Sequence, residues 1–474
     1  MNDKSSVLLE NHTEDPTSLK YMLKLAGPMV ISTISFTVMQ FVDRLMVSRL
    51  GKEALAAVWP AAFVVFIPGG FAMGAMTSLN TFVSQNLGRG DKKACSNYFW
   101  QVIYMGFAYF LTVVVVMWPT APWIFRVMGH PSEVVRMEVI YLRILLYAHI
   151  LAVINWSSSQ FYMGIHRPVI AMRASLCGQI VNVAANYVLI FGKFGFPRLG
   201  IAGAGWGTFV GIAVAAFVNM SVFLGEGINK EYSSRRTVGI SFAKMYDTLK
   251  VGLPAGFGLM VNVAIWGVIL SWLVGKFGNE AMAATGAVLS CANISVMPIV
   301  GISMALTAAV GKSIGSGRKD LVAKQVGVCI RIGLVYMGLV GLCFFVFRHP
   351  LIQIWSVPPD AAVIEAGANI LICAAVYQVF YAARVVYGGA LRGAGDTMWL
   401  ALVSGVGSVV VLGAGGALIV GLWPSLDYMG PWIAAMLSIV TVGLANLWRF
   451  KSKRWMEIDL FKRRVLEMPV EVGE

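Results

Sequence analysis

Twelve stretches of mostly apolar residues, each long enough to cross a bilayer as a helix, constrain this chain more than any other feature. They fall near residues 22–48, 54–87, 95–120, 134–163, 168–192, 202–224, 247–275, 281–314, 323–347, 362–390, 396–421 and 430–450. Only 13% of the residues are charged, against about 25% in an ordinary soluble domain. The stretches are continuous rather than alternating, which favours helices over barrel strands. The expected fold is an all-α membrane protein of twelve transmembrane helices. Segments 54–87 and 281–314 exceed one crossing and are expected to tilt. The first 20 residues are polar and lack an apolar signal core, so the first stretch is read as a retained span.

The chain repeats itself. KLAGP at 24–28 returns as KVGLP at 250–254, and YMGIHR at 162–167 as YGGALR at 387–392. GKEALA at 51–56 returns as GNEAMA at 278–283, and LGRGDKK at 87–93 as IGSGRKD at 314–320, both at an offset of 227. Matches in one order near one offset indicate a duplicated six-helix unit. The expected organisation is an N-terminal lobe over 1–225, a cytoplasmic linker over 226–246, a C-terminal lobe over 247–450 and a basic tail over 451–474. Parallel repeats related by an axis along the membrane normal imply a central cavity.

The net charge of +14 invites a nucleic-acid reading, but the positions of the charges oppose it. With both termini placed in the cytoplasm, inner segments carry 23 Lys and Arg and outer loops carry 7 (Arg49, Lys52, Arg126, Lys193, Arg198, Lys276, Arg348). That asymmetry is the positive-inside signature. The seven basic residues between 449 and 464 suit contact with anionic lipid headgroups. Nucleic acid is therefore not an expected partner. The six cysteines lack CxxC spacing, so neither a disulfide framework nor a zinc site is expected.

Asp43 stands apart from the other acids, which sit in loops, tails or span ends. It follows about nineteen mostly apolar residues in MVISTISFTVMQFVDRLMVSRLG. A carboxylate at that depth is costly unless protonated, paired or cation-bound, and marks a functional site by default. Gln40, Met39 and Phe36, at i−3, i−4 and i−7, share its helix face and would suit a bulky apolar cation or plain interhelical packing. Pro28 permits a bend in the same helix. Gln179, Asn182 and Asn186 lie in the fifth span, the two asparagines at i,i+4. Asn155 and Thr208 add oxygens from spans four and six. One carboxylate with several uncharged oxygens makes a fair shell for Na⁺, placed at Asp43, Asn182 and Asn186, or a fair proton site. Interhelical glue remains the plain alternative for each amide. At offset 227 these positions become Leu270, Val409 and Gly413, so coupling is expected in the N-terminal lobe alone.

The run FVDRLMVSRLGKEALAA, LGRGD, Asn182-xxx-Asn186-Tyr187, GIAGAGWGT at 200–208 and LRGAGDT at 391–397 resembles the multidrug and toxic compound extrusion (MATE) family, in order and across essentially the whole chain. The resemblance implies two six-helix lobes around a V-shaped cleft, and antiport of organic cations or drugs against H⁺ or Na⁺. It maps Asp43 onto the family's first-helix aspartate, Asn182 and Asn186 onto the polar pair of helix five, and Asn155 and Thr208 onto the remaining N-lobe ligands. The acid pattern is DinF-like, except that such members carry an aspartate where this chain has Asn186. NorM-like members carry acids where this chain has Asn262 and Tyr381, with Arg384 nearby, so the C-lobe cation site is absent by this reading. Tyr381 and Arg384 are then expected to touch substrate or brace the cleft.

Other chemistry finds little support. GKS at 311–313 lacks the earlier glycine of a phosphate loop, since position 306 is leucine. No catalytic pair, ATP-binding module or cofactor motif is visible, so no enzyme is expected. His149 is the one histidine within a span, and the glycines at 88–90 and 315–317 read as helix ends. The expected protein is a multi-pass antiporter of the cell inner membrane, acting as a monomer. Its expected partners are small organic cations and membrane lipids. The competing reading is a lipid-linked precursor flippase of related fold, prompted by Arg143, Arg173, Arg331 and Arg384 within spans.

Overall fold

The computed structural model describes residues 15–356 and 359–461. The start of the expected cytoplasmic N-terminus and residues 462–474 of the expected basic tail lie outside the described residues. Twelve helices are long and apolar enough to cross a membrane: α1 Leu19–Ser48, α2 Ala56–Arg89, α3 Lys92–Val127, α4 Ser132–Gly164, α5 Pro168–Phe191, α6 Ile201–Leu224, α7 Phe242–Gly275, α8 Asn279–Gly315, α9 Asp320–Val346, α10 Ala361–Ala394, α11 Thr397–Leu422 and α12 Met429–Lys451. No strand occurs among the described residues. The protein is thus an all-helical, multi-pass membrane protein.

Helices α1–α6 and α7–α12 form two lobes, and the duplication is visible where they cross. A Cβ on Gly88 of α2 would collide with the Lys312 carbonyl of α8, and one on Gly315 of α8 with the Gln85 carbonyl of α2. Positions 85 and 312, like 88 and 315, are 227 apart, so the contact is its own counterpart under the repeat. Gly74 against Gly256 and Gly301 against Val30 are the equivalent α2–α7 and α8–α1 contacts. Glycine serves here because helix backbones touch, the small-residue packing expected where lipid supplies no hydrophobic drive.

The second half of α2, Ser78–Arg89, is buried from Ser78 through Asn86 and seals the lobes with polar bonds. Asn80 donates to the Met304 carbonyl (3.3 Å), Thr81 to that of Arg392 (2.8 Å) and Gln85 to that of Gly393 (2.9 Å). The last two carbonyls belong to the final turn of α10, where that of Arg392 also accepts from the Gly395 N–H (2.9 Å). The hydrogen bonds joining the lobes run from Thr33–Met297 at mid-height to the end that carries both termini. Toward the opposite end Phe41 and Leu45 of α1 are exposed.

His166, in the α4–α5 turn, clasps this seal. Its Nε2 lies 3.2 Å from the Ala308 carbonyl of α8 and its Nδ1 2.7 Å from the Tyr21 hydroxyl of α1. The network assigns a neutral ring that donates through Nε2 and accepts through Nδ1. Burial and the nearby Lys312 charge push its pKa down to about 3. A histidine held neutral stabilises fully above its unfolded pKa of about 6.5, and that contribution fades as pH falls toward the folded value. Stability is therefore expected to fall below pH 6.5, by up to about 1.4 kcal/mol per pH unit and seen as a falling midpoint of thermal unfolding, and to fall less steeply in His166→Gln. Identical pH profiles for the two proteins would contradict the assignment.

Two further features position the site. The linker carries a short helix, Glu226–Tyr232, pinned to the N-lobe by Glu231, which meets Lys92 (2.9 Å) and Arg167 (2.6 Å). Burial alone would raise the Glu231 carboxyl, but these two cations outweigh it and hold it below the usual range. In the C-lobe, α7 and α11 widen into π-helical turns at Ile265–Ile269 and Ser408–Gly415. At offset 227 these segments correspond to 38–42, which ends one residue before Asp43, and to 181–188, which holds Asn182 and Asn186. At the counterpart of Asp43 the C-lobe has a fully buried Leu270 instead of an acid.

Candidate functional site

The α5–α6 packing buries the asparagines. Gly178, Asn182 and Asn186 recur every four residues on α5, and Gly203, Gly207 and Gly211 every four on α6. The two ridges run antiparallel and touch: Gly203 lies against Leu189, Gly207 against Asn186, and Gly211 against Asn182 and the Gly178 carbonyl. With glycine opposite, Asn182 and Asn186 become almost wholly buried at 2% and 0% exposure. Their amides are aimed past α6 toward α1.

On α1, half-buried Asp43 accepts a 2.7 Å hydrogen bond from Asn186 Nδ2, which also lies 3.4 Å from Asn182 Oδ1. Asp43 forms no ion pair among the described residues, so its neighbour Arg44 does not neutralise it. Asn186 Oδ1 is buried without a partner. That pairing of a carboxylate with an amide bearing a spare carbonyl can exist in two forms. An ionised Asp43 accepts from Nδ2, as seen. A protonated Asp43 can donate to Oδ1 once the amide turns over.

Beside this pair is a cavity of about 90 Å³, lined by Phe36 and Met39 of α1, Asn155 of α4, Gln179 and Asn182 of α5 and Thr208 of α6. It has room for a few water molecules and none for a drug-sized molecule. Phe36, 45% exposed, forms its rim. Asn155 accepts from Asn219 Nδ2 at 2.7 Å, and the Asn219 carbonyl accepts from Tyr162. Thr208 donates back to the Ala204 carbonyl. Tyr141, buried on α4, faces both Thr208 and Asp43. Asn219 and Tyr141 were not singled out from sequence. A polar residue inside an apolar span was the signal for the first; a tyrosine in an aromatic-rich chain gave no signal for the second.

The sequence-derived residues thus divide. Asp43, Asn155, Asn182, Asn186, Thr208, Phe36, Met39 and Gln179 come together in the N-lobe. Gln40 is exposed and does not line the cavity. Tyr381 and Arg384 pair with each other on α10 in the other lobe, the guanidinium 5.6 Å from the ring centroid. Pro28 sits within an unbroken α1, its carbonyl accepting from Ser32 at 3.0 Å. His149 Nδ1 donates to the Leu145 carbonyl of its own helix (2.8 Å).

Gly207→Ala gives a sharp test of this packing. The new Cβ would lie 2.8 Å from Asn186 Cγ and 2.9 Å from its backbone nitrogen, so the amide or the helix must shift. Overpacking of this kind costs about 1–3 kcal/mol, and transport in reconstituted vesicles is expected to fall at least tenfold. Wild-type rates in the variant would show that the Asn186 amide position is unimportant.

The MatE family model matches this chain twice, over residues 28–188 and 254–415. The chain is 28% identical to a probable multidrug resistance protein NorM of Chromobacterium violaceum over 432 residues, covering 89% of this chain and 90% of the relative. It is 27% identical to the multidrug resistance protein PmpM of Pseudomonas aeruginosa, covering 80% and 79%. An outward-facing conformation of a multidrug resistance MATE family transporter of the MOP superfamily has the same fold, with a TM-score of 0.85 at 21% identity, covering 94% of this chain and 98% of that one. A bent conformation of a MATE protein gives 0.84. The paired matches begin 226 residues apart and end 227 apart, the same interval as the glycine crossings. With twelve spans, two lobes and a polar site in the first, the chain belongs to the MatE family of membrane transporters.

Proposed function

We propose that the protein is a secondary antiporter that exports cationic or aromatic drugs in exchange for an ion bound at Asp43. The observation that carries this reading is the carboxylate itself. Among the described residues it forms no ion pair, and it is bonded to a buried amide and set beside a small polar cavity. The names of the relatives supply the substrate class.

The coupling ion on this reading is H⁺. A pre-formed Na⁺ site needs converging oxygens, whereas here an amide nitrogen occupies the near side of the carboxylate. The two bonding forms of Asp43 and Asn186 give a proton two stable arrangements without a second acid.

With the termini in the cytoplasm of a bacterial inner membrane, the α2–α8 seal closes the inner side and the cleft faces outward. A proton entering the cavity loads Asp43 and turns the Asn186 amide, and repacking of α1 then favours rocking of the lobes. The cavity is too small for drug, so drug occupies the interlobe cleft and senses the proton through Phe36 and Met39 at the rim. Vesicles carrying an imposed pH gradient alone should drive uptake of a fluorescent organic cation, and a Na⁺ gradient alone should not. The reverse result would replace H⁺ with Na⁺; failure of both would remove the antiport reading.

A further inference from the structure

A second cavity, of about 500 Å³, lies at the end opposite the termini, between the end of α3 and the start of α4. Arg126 of α3 and Arg136 and Arg143 of α4 line it. Arg136 and Arg143 are i,i+7 and share a face, about 10 Å apart along the helix. Between them the wall is apolar: Pro122, Val139 and Ile140.

The geometry holds Arg143 in place. Pro122 has no N–H, so the Trp118 carbonyl four residues before it lacks its helical donor. Arg143 Nη2 fills that vacancy at 3.2 Å, and its guanidinium stacks 4.8 Å from the Trp118 ring centroid. Its Nε is buried with no partner. Arg126 and Arg136 are exposed and form no ion pair among the described residues. Two acids lie nearby: Glu138, fully buried and already engaged by His130 at 2.8 Å, and Glu133, exposed in the first turn of α4, so the three arginines still outnumber them. The N-terminal turn of α4 adds its dipole. Positive charge is therefore concentrated at the side where the positive-inside asymmetry makes it scarce.

We propose that this pocket binds the phosphate headgroup of an anionic phospholipid in the leaflet away from the termini. Charge and shape both favour that occupant. Guanidinium groups donate to phosphate oxygens in bidentate fashion. The depth from Arg136 to Arg143 matches a headgroup above the start of an acyl chain, and the apolar wall between them accepts that chain. The volume admits a glycerophosphate unit.

The test uses the purified full-length protein in detergent, titrated with phosphatidylglycerol, with phosphatidylcholine and with inorganic phosphate, and read by thermal shift and by lipid retention in native mass spectrometry. Phosphatidylglycerol is expected to stabilise and be retained, the other two not. Affinity should fall about fivefold for each of Arg126→Gln and Arg136→Gln, whose exposed side chains leave folding intact. Arg143→Gln should fall further. Equal retention of phosphatidylcholine would overturn the anionic preference. An equal shift from inorganic phosphate would replace the lipid with a free anion. Unchanged affinity in the Arg126→Gln, Arg136→Gln double variant would remove the site.

Discussion

Asp43→Asn is expected to bring gradient-driven efflux of an organic cation down to the level of protein-free vesicles while leaving the fold in place. The amide is nearly isosteric with the carboxyl, and its oxygen can still accept from Asn186 Nδ2, the bond seen at 2.7 Å. The stability change should stay within about 1 kcal/mol, the size of one neutral hydrogen bond exchanged for a charge-assisted one. What disappears is the ability to take up and release a proton, and with it any differential binding of the ion to the two conformations. A ligand that does not distinguish two states shifts nothing between them. Drug binding measured without a gradient should survive, because the proposed reading puts the drug outside the 90 Å³ cavity. Retention of full gradient-driven efflux in a normally folded variant would mean that Asp43 does not couple.

How much of this could be read from the chain follows from the physics of each residue. The twelve spans were legible because bilayer thickness fixes helix length, and the structure places them with ends shifted by a few residues; α3, for example, runs to Val127 rather than 120. Asp43 was legible because an acid in hydrocarbon is expensive. Its partner Asn186 was legible only as one of several amides, since spacing gives a shared face but not which atom points at which. Gln40 shows the limit of that reasoning: it shares the nominal face of Asp43 yet is exposed, because α1 meets α5 along only part of its circumference. The glycines at 90 and 317 are helix ends as expected, with left-handed φ of 83° and 75°. Gly88 and Gly315, two residues earlier, read the same way in sequence but are the crossing point of the lobes. A missing side chain carries no pattern of its own, so its purpose emerges only when the opposing backbone is seen.

That crossing is where a single methyl-scale change should have the largest conformational effect. Gly315→Val would drive branched carbons into the Gln85 backbone, whose carbonyl carbon and Cα already stand 2.8 and 2.9 Å from the position of a Cβ. Backbone atoms in a packed helix cannot step aside as a side-chain tip can. Gly88→Val should act alike, because the repeat makes the two contacts equivalent. Each is expected to cost the sealed arrangement about 1–3 kcal/mol, which moves the ratio of open to sealed seam by roughly 5-fold to 150-fold. The bonds from Asn80 to the Met304 carbonyl of α8 and from Thr81 and Gln85 to the Arg392 and Gly393 carbonyls of α10 would be stretched together, since all three start from the same half of α2. Spin labels placed across the cleft mouth on α1 and α7 should report shorter distances in these variants, as the mouth closes when the seam opens, and a cysteine at Ser84 should become reactive to a polar thiol reagent. A contrasting substitution at Gly90, where no atom lies within 4 Å of a Cβ, should strain only its own left-handed backbone and leave both readouts unchanged. If Gly315→Val keeps the wild-type distances and a protected Ser84→Cys, then the glycine crossing does not set the balance between the two faces, and the rocking of the lobes must pivot elsewhere.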